Sequence, residues 1–242
     1  MTPRILLAVA GRVLNQIRRD HRTLATLLVL PCALMTLLWW MFDDLTFRAL
    51  GPALLALFPF IIMFLVTSVT TLRERTSGTL ERLLAMPMGK LDFLGGYALA
   101  FGLVAAVQSA LAVGLSVLVL GLDVQGPVWM LTLVAIADAV LGTALGLFVS
   151  AFARTEFQAV QFMPAVVIPQ ILLCGLFVAR DEMPAVLGFI SDLLPLSYAV
   201  DAMQGVAQDI ALAEITRDLG IVVAFAAAGL ALGAVTLRRQ SA

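Results

Sequence analysis

An all-α integral membrane protein is the fold this sequence predicts. The expected layout is an N-terminal interfacial amphipathic helix, six transmembrane helices, and re-entrant or outer helices between spans five and six. Three observations carry that reading. The 242 residues are 62% hydrophobic and only 13% charged, against about 45–50% apolar and about 25% charged in soluble domains. Several apolar runs reach the ~20 residues that a helix needs to cross the hydrocarbon core. Finally, twelve of the fifteen Lys and Arg residues fall at the two ends of the chain and in alternate connections between the runs, the bias expected of segments held in the cytoplasm. A lone spanning segment satisfies its backbone groups only as a helix, so each run is expected to be helical.

The elements follow in order, as one transmembrane domain over 1–242. In 4–22, Leu6, Val9, Val13 and Ile17 share one helical face, and Arg12, Asn15, Arg19 and Arg22 share another. A basic amphipathic helix of this kind lies in the membrane interface. The apolar run before Gly11 is too short for a signal peptide, so the N-terminus is expected to be retained. The spans are expected at 24–42, 52–72, 95–120, 128–152, 157–178 and 219–237. Trp39 and Trp40 close the first, as aromatics do at an interface. Pro164 and Pro169 are expected to bend the fifth. The apolar pieces of 183–212 are split by Asp192, Pro195, Asp201 and Asp209; they are too short to span and suit re-entrant or interfacial helices. Arg48, Arg180 and Arg217 are the cations of the opposite side, which is otherwise acidic.

One stretch between spans two and three is out of character with its surroundings: Leu72-Arg-Glu-Arg-Thr-Ser-Gly-Thr-Leu-Glu-Arg-Leu-Leu-Ala-Met-Pro87. Ser77 or Gly78 suits a helix cap, and Glu81 in the first turn suits the positive helix end. Leu80, Leu83 and Leu84 recur at i, i+3 and i+4, and Pro87 ends the pattern. A two-turn amphipathic helix at 77–87 is expected on the cytoplasmic side. Charge and pattern alone leave two roles open, leucines floated among lipid headgroups or a knob for a cytosolic partner.

The motif Glu74-Arg75-Thr76-Ser77-Gly78-Thr79-Leu80-Glu81-Arg82-Leu83-Leu84-Ala85-Met86-Pro87 resembles the cytoplasmic loop of ABC-2 type transporter permeases, especially those of drug and antibiotic exporters. The stretch from Gly175 to Pro184, followed by Leu194-Pro-Leu-Ser-Tyr198, resembles that family's outer segment after the fifth span. The likeness covers nearly the whole chain. It implies that 77–87 is a coupling helix docking on a separate cytosolic ABC ATPase, present in two copies, that binds ATP and Mg. Glu74, Arg75, Gly78, Thr79, Glu81, Arg82, Leu83, Leu84 and Pro87 are then the coupling residues. A second permease copy or a sister permease would complete the transporter. The setting it implies is the bacterial plasma membrane, with both termini cytoplasmic. Met183, Pro184, Pro195 and Tyr198 become outer-gate candidates. The implied cargo is a hydrophobic or amphipathic drug-like or lipid-like molecule.

Several functions find no residues to carry them. The sole Lys, Lys90, sits in no phosphate-binding Gly-rich loop, so ATP hydrolysis is expected of a partner chain. With one His and two Cys, both in apolar runs, the sequence offers no catalytic triad, metal site or resident cofactor. Nothing points to nucleic acid. Asp138 stands ten residues into the fourth span, where a carboxylate costs roughly 2.5–3.5 kcal/mol on insertion scales. It reads either as a path or proton-binding group, or as a helix-to-helix hydrogen bond to Thr143, Thr70 or Gln108. Gln108, Gln161 and Gln170 are further path candidates, or equally pins between helices. Rival readings are a proton-coupled secondary transporter centred on Asp138, a polysaccharide or glycolipid exporter permease, and a membrane assembly factor that exports nothing.

Overall fold

The computed structural model describes residues 3–76 and 90–236, the side chains of 90–94 excepted. The stretch 77–87, with Gly78, Thr79, Glu81, Arg82, Leu83, Leu84 and Pro87, lies outside the described residues. Among those described, all regular structure is helical: α1 (Pro3–Arg19), α2 (His21–Met41), α3 (Asp44–Thr76), α4 (Lys90–Leu118), α5 (Val128–Ser150), α6 (Glu156–Leu173), a 3₁₀ turn (Arg180–Glu182), α7 (Ala185–Asp192), α8 (Pro195–Ala207) and α9 (Leu212–Thr236). Six of them, α2 to α6 and α9, are long and apolar enough to cross a membrane. The chain is an all-α integral membrane protein.

Local chemistry explains where the helices outrun or fall short of the expected spans. α3 begins at Asp44 rather than 52, because the Asp43 carboxylate accepts from the Thr46 hydroxyl (2.6 Å) and amide (3.4 Å) as a cap. Its far end continues past 72 through Arg73, Glu74 and Arg75. α6 stops at Leu173 rather than 178, since Gly175 takes φ +90°, a left-handed conformation that glycine adopts freely at a helix end. α4 ends likewise, with Gly121 at φ +70° and the Leu122 amide donating back to Ser116 O at 2.8 Å. α9 starts seven residues before 219, reaching the end of the segment expected to lie outside. Its first turns carry the exposed Glu214 and Arg217, and Asp218, which is buried and paired with Arg217.

α3 and α5 form the centre of the bundle. A Cβ on Gly142 would strike the Phe60 carbonyl oxygen, and one on Gly146 would come within 2.5 Å of the Phe64 carbonyl oxygen. Two glycines four apart thus lay one helix backbone directly on another, and the matched steps of four show that the two helices run in the same direction. Gly229 brings α9 against Ala144. Ser109 ties α4 to α5 by donating to Ala135 O at 3.1 Å. α8 is embedded as well, with Leu196, Val200, Met203 and Val206 fully buried.

α2 and α6 stay at the rim. About two-thirds of the apolar stretch of α3 (67%) is buried inside the chain, against 17% for α2 and for α6. α1 keeps the amphipathic character expected of it, but its apolar face meets protein. Val9, Val13 and Ile17 pack with Tyr97, Ala100 and Phe101 of α4. Gly96 allows the approach, since a Cβ there would lie 3.0 Å from Leu6 O and closer still to Val9.

Candidate functional site

Polar side chains gather at the two ends of the bundle and thin out between them. At the arginine-rich end, three consecutive residues of α3 reach three different neighbours. Glu74 accepts two bonds from the Arg12 guanidinium of α1, at 2.9 and 2.7 Å, and Arg12 also donates to the Tyr97 hydroxyl of α4 at 2.7 Å. Arg73 forms a two-bond pair with Glu156, the first residue of α6, at 2.8 and 2.9 Å. Arg75 donates to the Ser150 carbonyl at the end of α5. Successive helical side chains point about 100° apart, so neighbours 73, 74 and 75 necessarily face different directions. α3 therefore ends in a collar that grips α1, α5 and α6, and α4 through Arg12, immediately before residue 77.

Nearby, Asp20 joins α1 to α2. Its carboxylate accepts from the Thr23 hydroxyl (2.6 Å), the Thr23 amide (3.2 Å) and the Arg22 amide (3.2 Å), capping α2. Those bonds, the Thr23 hydroxyl first, hold the Asp20 carboxyl below its ordinary range.

At the acidic end, Arg180 organises the turn between α6 and α8. Its guanidinium bonds to Asp192 at the end of α7 and to Asp201 in α8. It also lies 4.9 Å from the Tyr198 ring centre, cation–π range. The Tyr198 hydroxyl donates to Asp192 O at 2.8 Å. Burial acts to weaken the guanidinium's hold on its proton. Asp201, Asp192 and Tyr198 outweigh that, and Arg180 stays above its ordinary value. Beneath it, Ser191 donates to the terminal Leu173 carbonyl of α6 at 2.7 Å, and the Leu196 amide of α8 donates to Gln170 Oε1 at 3.4 Å. Helix ends that would otherwise leave backbone groups unmade are closed by these side chains. α7 and α8 meet at 90°. Arg48 pairs with Asp123 at 3.2 Å, and Arg217 with Asp218 at 2.9 Å. All three arginines of this end are thus ion-paired.

A profile of the ABC-2 type transporter family matches residues 5–207, well over half of the chain. The chain belongs to the ABC-2 type transporter family. It is similar to the probable multidrug ABC transporter permease YbhS of Escherichia coli K12, 26% identical over 63% of this chain and 41% of the relative. It is also similar to the linearmycin resistance permease protein LnrN of Bacillus subtilis, 25% identical over 81% of this chain and 50% of the relative. A third relative is ABC transporter G family member 20 of Dictyostelium discoideum, 25% identical over 65% of this chain and 22% of the relative. The chain spans half or less of the length of each of these relatives.

Of the three described residues of the Glu74–Pro87 motif in this ABC-2 chain, Glu74 and Arg75 turn inward, into the collar, and Thr76 is exposed and bonds back to its own helix. The sequence reading missed their partners. Arg12 stood out only as part of a polar face, and Ser150 carried no signal of its own; nor did Tyr97 and Glu156, which bond to Arg12 and Arg73 in the same collar. The path candidates separate. Asp138, Gln108 and Gln170 are buried within the chain, whereas Gln161 is exposed on α6. The Gln170 amide nitrogen donates to Val166 O at 3.1 Å and its oxygen holds α8, so this residue pins helices. Thr143 donates to Ala139 O within its own helix. Neither carboxyl oxygen of Asp138 has a hydrogen-bond partner among the described residues, and nor does the Gln108 amide. Of the outer-gate candidates, Tyr198 belongs to the Arg180 cluster and Pro195 starts α8 in a buried position. Pro184 precedes α7 at the surface, and Met183 is half-buried.

Proposed function

We propose that the chain is the membrane-spanning permease of an ATP-driven ABC exporter. The observation that carries the reading is the ABC-2 match over 5–207 on a chain with six candidate spanning helices. ATP and Mg are assigned to a separate cytosolic ABC ATPase in two copies, in keeping with the ABC-2 family and with relatives named as permeases. That ATPase takes the 77–87 helix into a cleft, with Glu81, Leu83 and Leu84 as the contact. Its movement enters the bundle through Arg73, Glu74 and Arg75, which reach α6, α1 and α5 immediately before residue 77. The setting is a bacterial plasma membrane with both termini cytoplasmic, supported by the arginine bias.

A second permease copy, or a sister chain, completes the transporter. The thinly buried α2 and α6 are the faces it covers. The cargo path runs between the two permeases, since Asp138 and Gln108 are enclosed in the core of one chain. The cargo is a hydrophobic or amphipathic molecule, drug-like or lipid-like, in keeping with relatives named for multidrug transport and linearmycin resistance.

The test is a mild-detergent pull-down of the tagged chain from its native membranes, with partners counted by mass spectrometry, beside a Leu83→Asp/Leu84→Asp variant. A stoichiometric P-loop ATPase, lost in the variant, is the expected result. A preparation without any ATPase sinks the proposal.

A further inference from the structure

Three neighbours place α1 at the edge of the hydrocarbon core. Its Arg12 meets Glu74, just past the apolar run of α3 that ends at Leu72. Its Leu6 and Val9 approach Gly96, near the start of the apolar run that follows Lys90 and Asp92 in α4. Its last residue, Arg19, adjoins α2, which begins at His21. Three spans therefore reach α1 at the level where their apolar runs begin or end, which is the depth of phospholipid headgroups.

The apolar face of α1 is spent on protein, since Val9, Val13 and Ile17 are buried in the contact with α4. The opposite face is open. Arg4, Gly11 and Arg18 recur at seven-residue steps, which fall on one side of a helix. Arg4 and Arg18 are exposed, and a Cβ on Gly11 would meet nothing within 4 Å. Arg19 and Arg22 carry the exposed arginines round the corner into α2. At the acidic end Arg48, Arg180 and Arg217 all pair with carboxylates of the chain. Among the described residues, by contrast, none of Arg4, Arg18, Arg19 and Arg22 has an ion pair. The single acid of this region, Asp20, turns its carboxylate to the Thr23 hydroxyl and to two backbone amides.

We infer that this face of α1 and the α1–α2 corner bind the headgroup of an anionic phospholipid, with Arg18, Arg19 and Arg22 on its phosphate. Guanidinium groups match phosphate oxygens in paired hydrogen bonds. A zwitterionic headgroup brings its own ammonium to the phosphate, so the unpaired arginines favour a lipid with net negative charge. Such headgroups already lie beside the arginines wherever the spans sit in a bilayer. The lipid then holds α1 from the side away from α4, and through Arg12 and Glu74 it steadies the end of α3.

The experiment is tryptophan quenching on the full chain in bilayers of phosphatidylglycerol and phosphatidylcholine, one or the other brominated in the upper acyl chain. The reporter is Asn15→Trp, exposed and one turn from Arg18 and Arg19, in a chain whose three native tryptophans are changed to Phe. It needs neither cargo nor ATPase, so its outcome is separate from the exporter reading. A preference for phosphatidylglycerol of about fivefold or more is expected, the size of one arginine's attraction to an anionic surface, and it shrinks in high salt. Arg18→Gln/Arg19→Gln/Arg22→Gln brings it close to unity, whereas the same three positions changed to Lys keep most of it. Equal quenching by the two lipids overturns the inference and leaves the face to an acidic protein partner. A preference unmoved by the glutamine substitutions overturns it too, as does the same preference at native Trp39, Trp40 and Trp129 of the opposite end.

Discussion

Removing either partner of the Arg12–Glu74 pair tests whether α1 is fastened to α3 by that contact or merely lies beside it. The pair makes two bonds, and the side chains are 29% and 10% exposed. Charge-assisted hydrogen bonds contribute about 1.5–3 kcal/mol, and stranding one partner of a fully buried pair costs about 3–5 kcal/mol. The partial exposure of Arg12 lowers the second figure. Arg12→Met and Glu74→Met are therefore each expected to cost about 2 kcal/mol. The double variant leaves neither member of this pair facing the other's absence, so it costs less than the sum, leaving a coupling of about 1.5 kcal/mol. Denaturant unfolding of the detergent-solubilised chain, followed by tryptophan fluorescence, gives the four free energies of the cycle. Additivity within about 0.5 kcal/mol refutes the reasoning, because α1 would then be held by Val9, Val13 and Ile17 alone.

The remaining expectations use the same preparation. Gly146→Val forces a branched side chain onto the Phe64 carbonyl and costs about 1–3 kcal/mol or more, whereas Gly220→Ala in α9 meets nothing within 4 Å and leaves the thermal midpoint unchanged or raised. Arg180→Met releases Asp192, Asp201 and Tyr198 together, so hydrogen exchange across α7 and the α7–α8 bend rises; Asp192→Asn has the smaller effect, since Asp192 is 61% exposed against 33% for Asp201. Asp20 has a lowered folded-state value, so its contribution is complete above the ordinary carboxylate range and fades as pH falls through the folded value. Asp20→Asn keeps a capping side chain and removes that acid-side loss, flattening the low-pH limb of a stability–pH profile.

The sequence made the fold legible because lipid imposes a length and a polarity that a single chain cannot disguise. Six apolar runs and their flanking arginines were enough. The ends of the helices were less legible. Asp43 capping Thr46 lengthens α3, and Gly175 shortens α6, and both act through local bonds that a hydropathy window averages away. The site was legible only as a motif. Glu74 and Arg75 stand out by pattern, but nothing near them in the chain announces Arg12, 62 residues away, or Ser150, 75 residues away. The embedding of α8 was hidden for a related reason. Asp201 and Gln204 interrupt its apolar run, and only the fold brings Arg180 to Asp201.

The distribution of anchors decides which parts of the bundle can move together. Between the collar and the Arg180 cluster, α3 and α5 are joined by backbone contact at Gly142 and Gly146, with no room for sliding side chains. A displacement applied to the end of α3 through residues 73–75 is therefore transmitted to α5 as a body, and to α1 and α4 through Arg12. α6 is held differently. At the arginine-rich end the Arg73–Glu156 pair is exposed, and exposed pairs contribute about 0–1 kcal/mol, but Ala159 and Phe162 of α6 also pack there with Leu72 and Val69 of α3. At its other end Gln170 and the Leu173 carbonyl tie it into the α7–α8 turn. With 17% of its apolar stretch buried inside the chain against 67% for α3, α6 has the less internal packing to lose, so in the exporter reading it is the element that shifts against a second permease while the α3–α5 core keeps its shape.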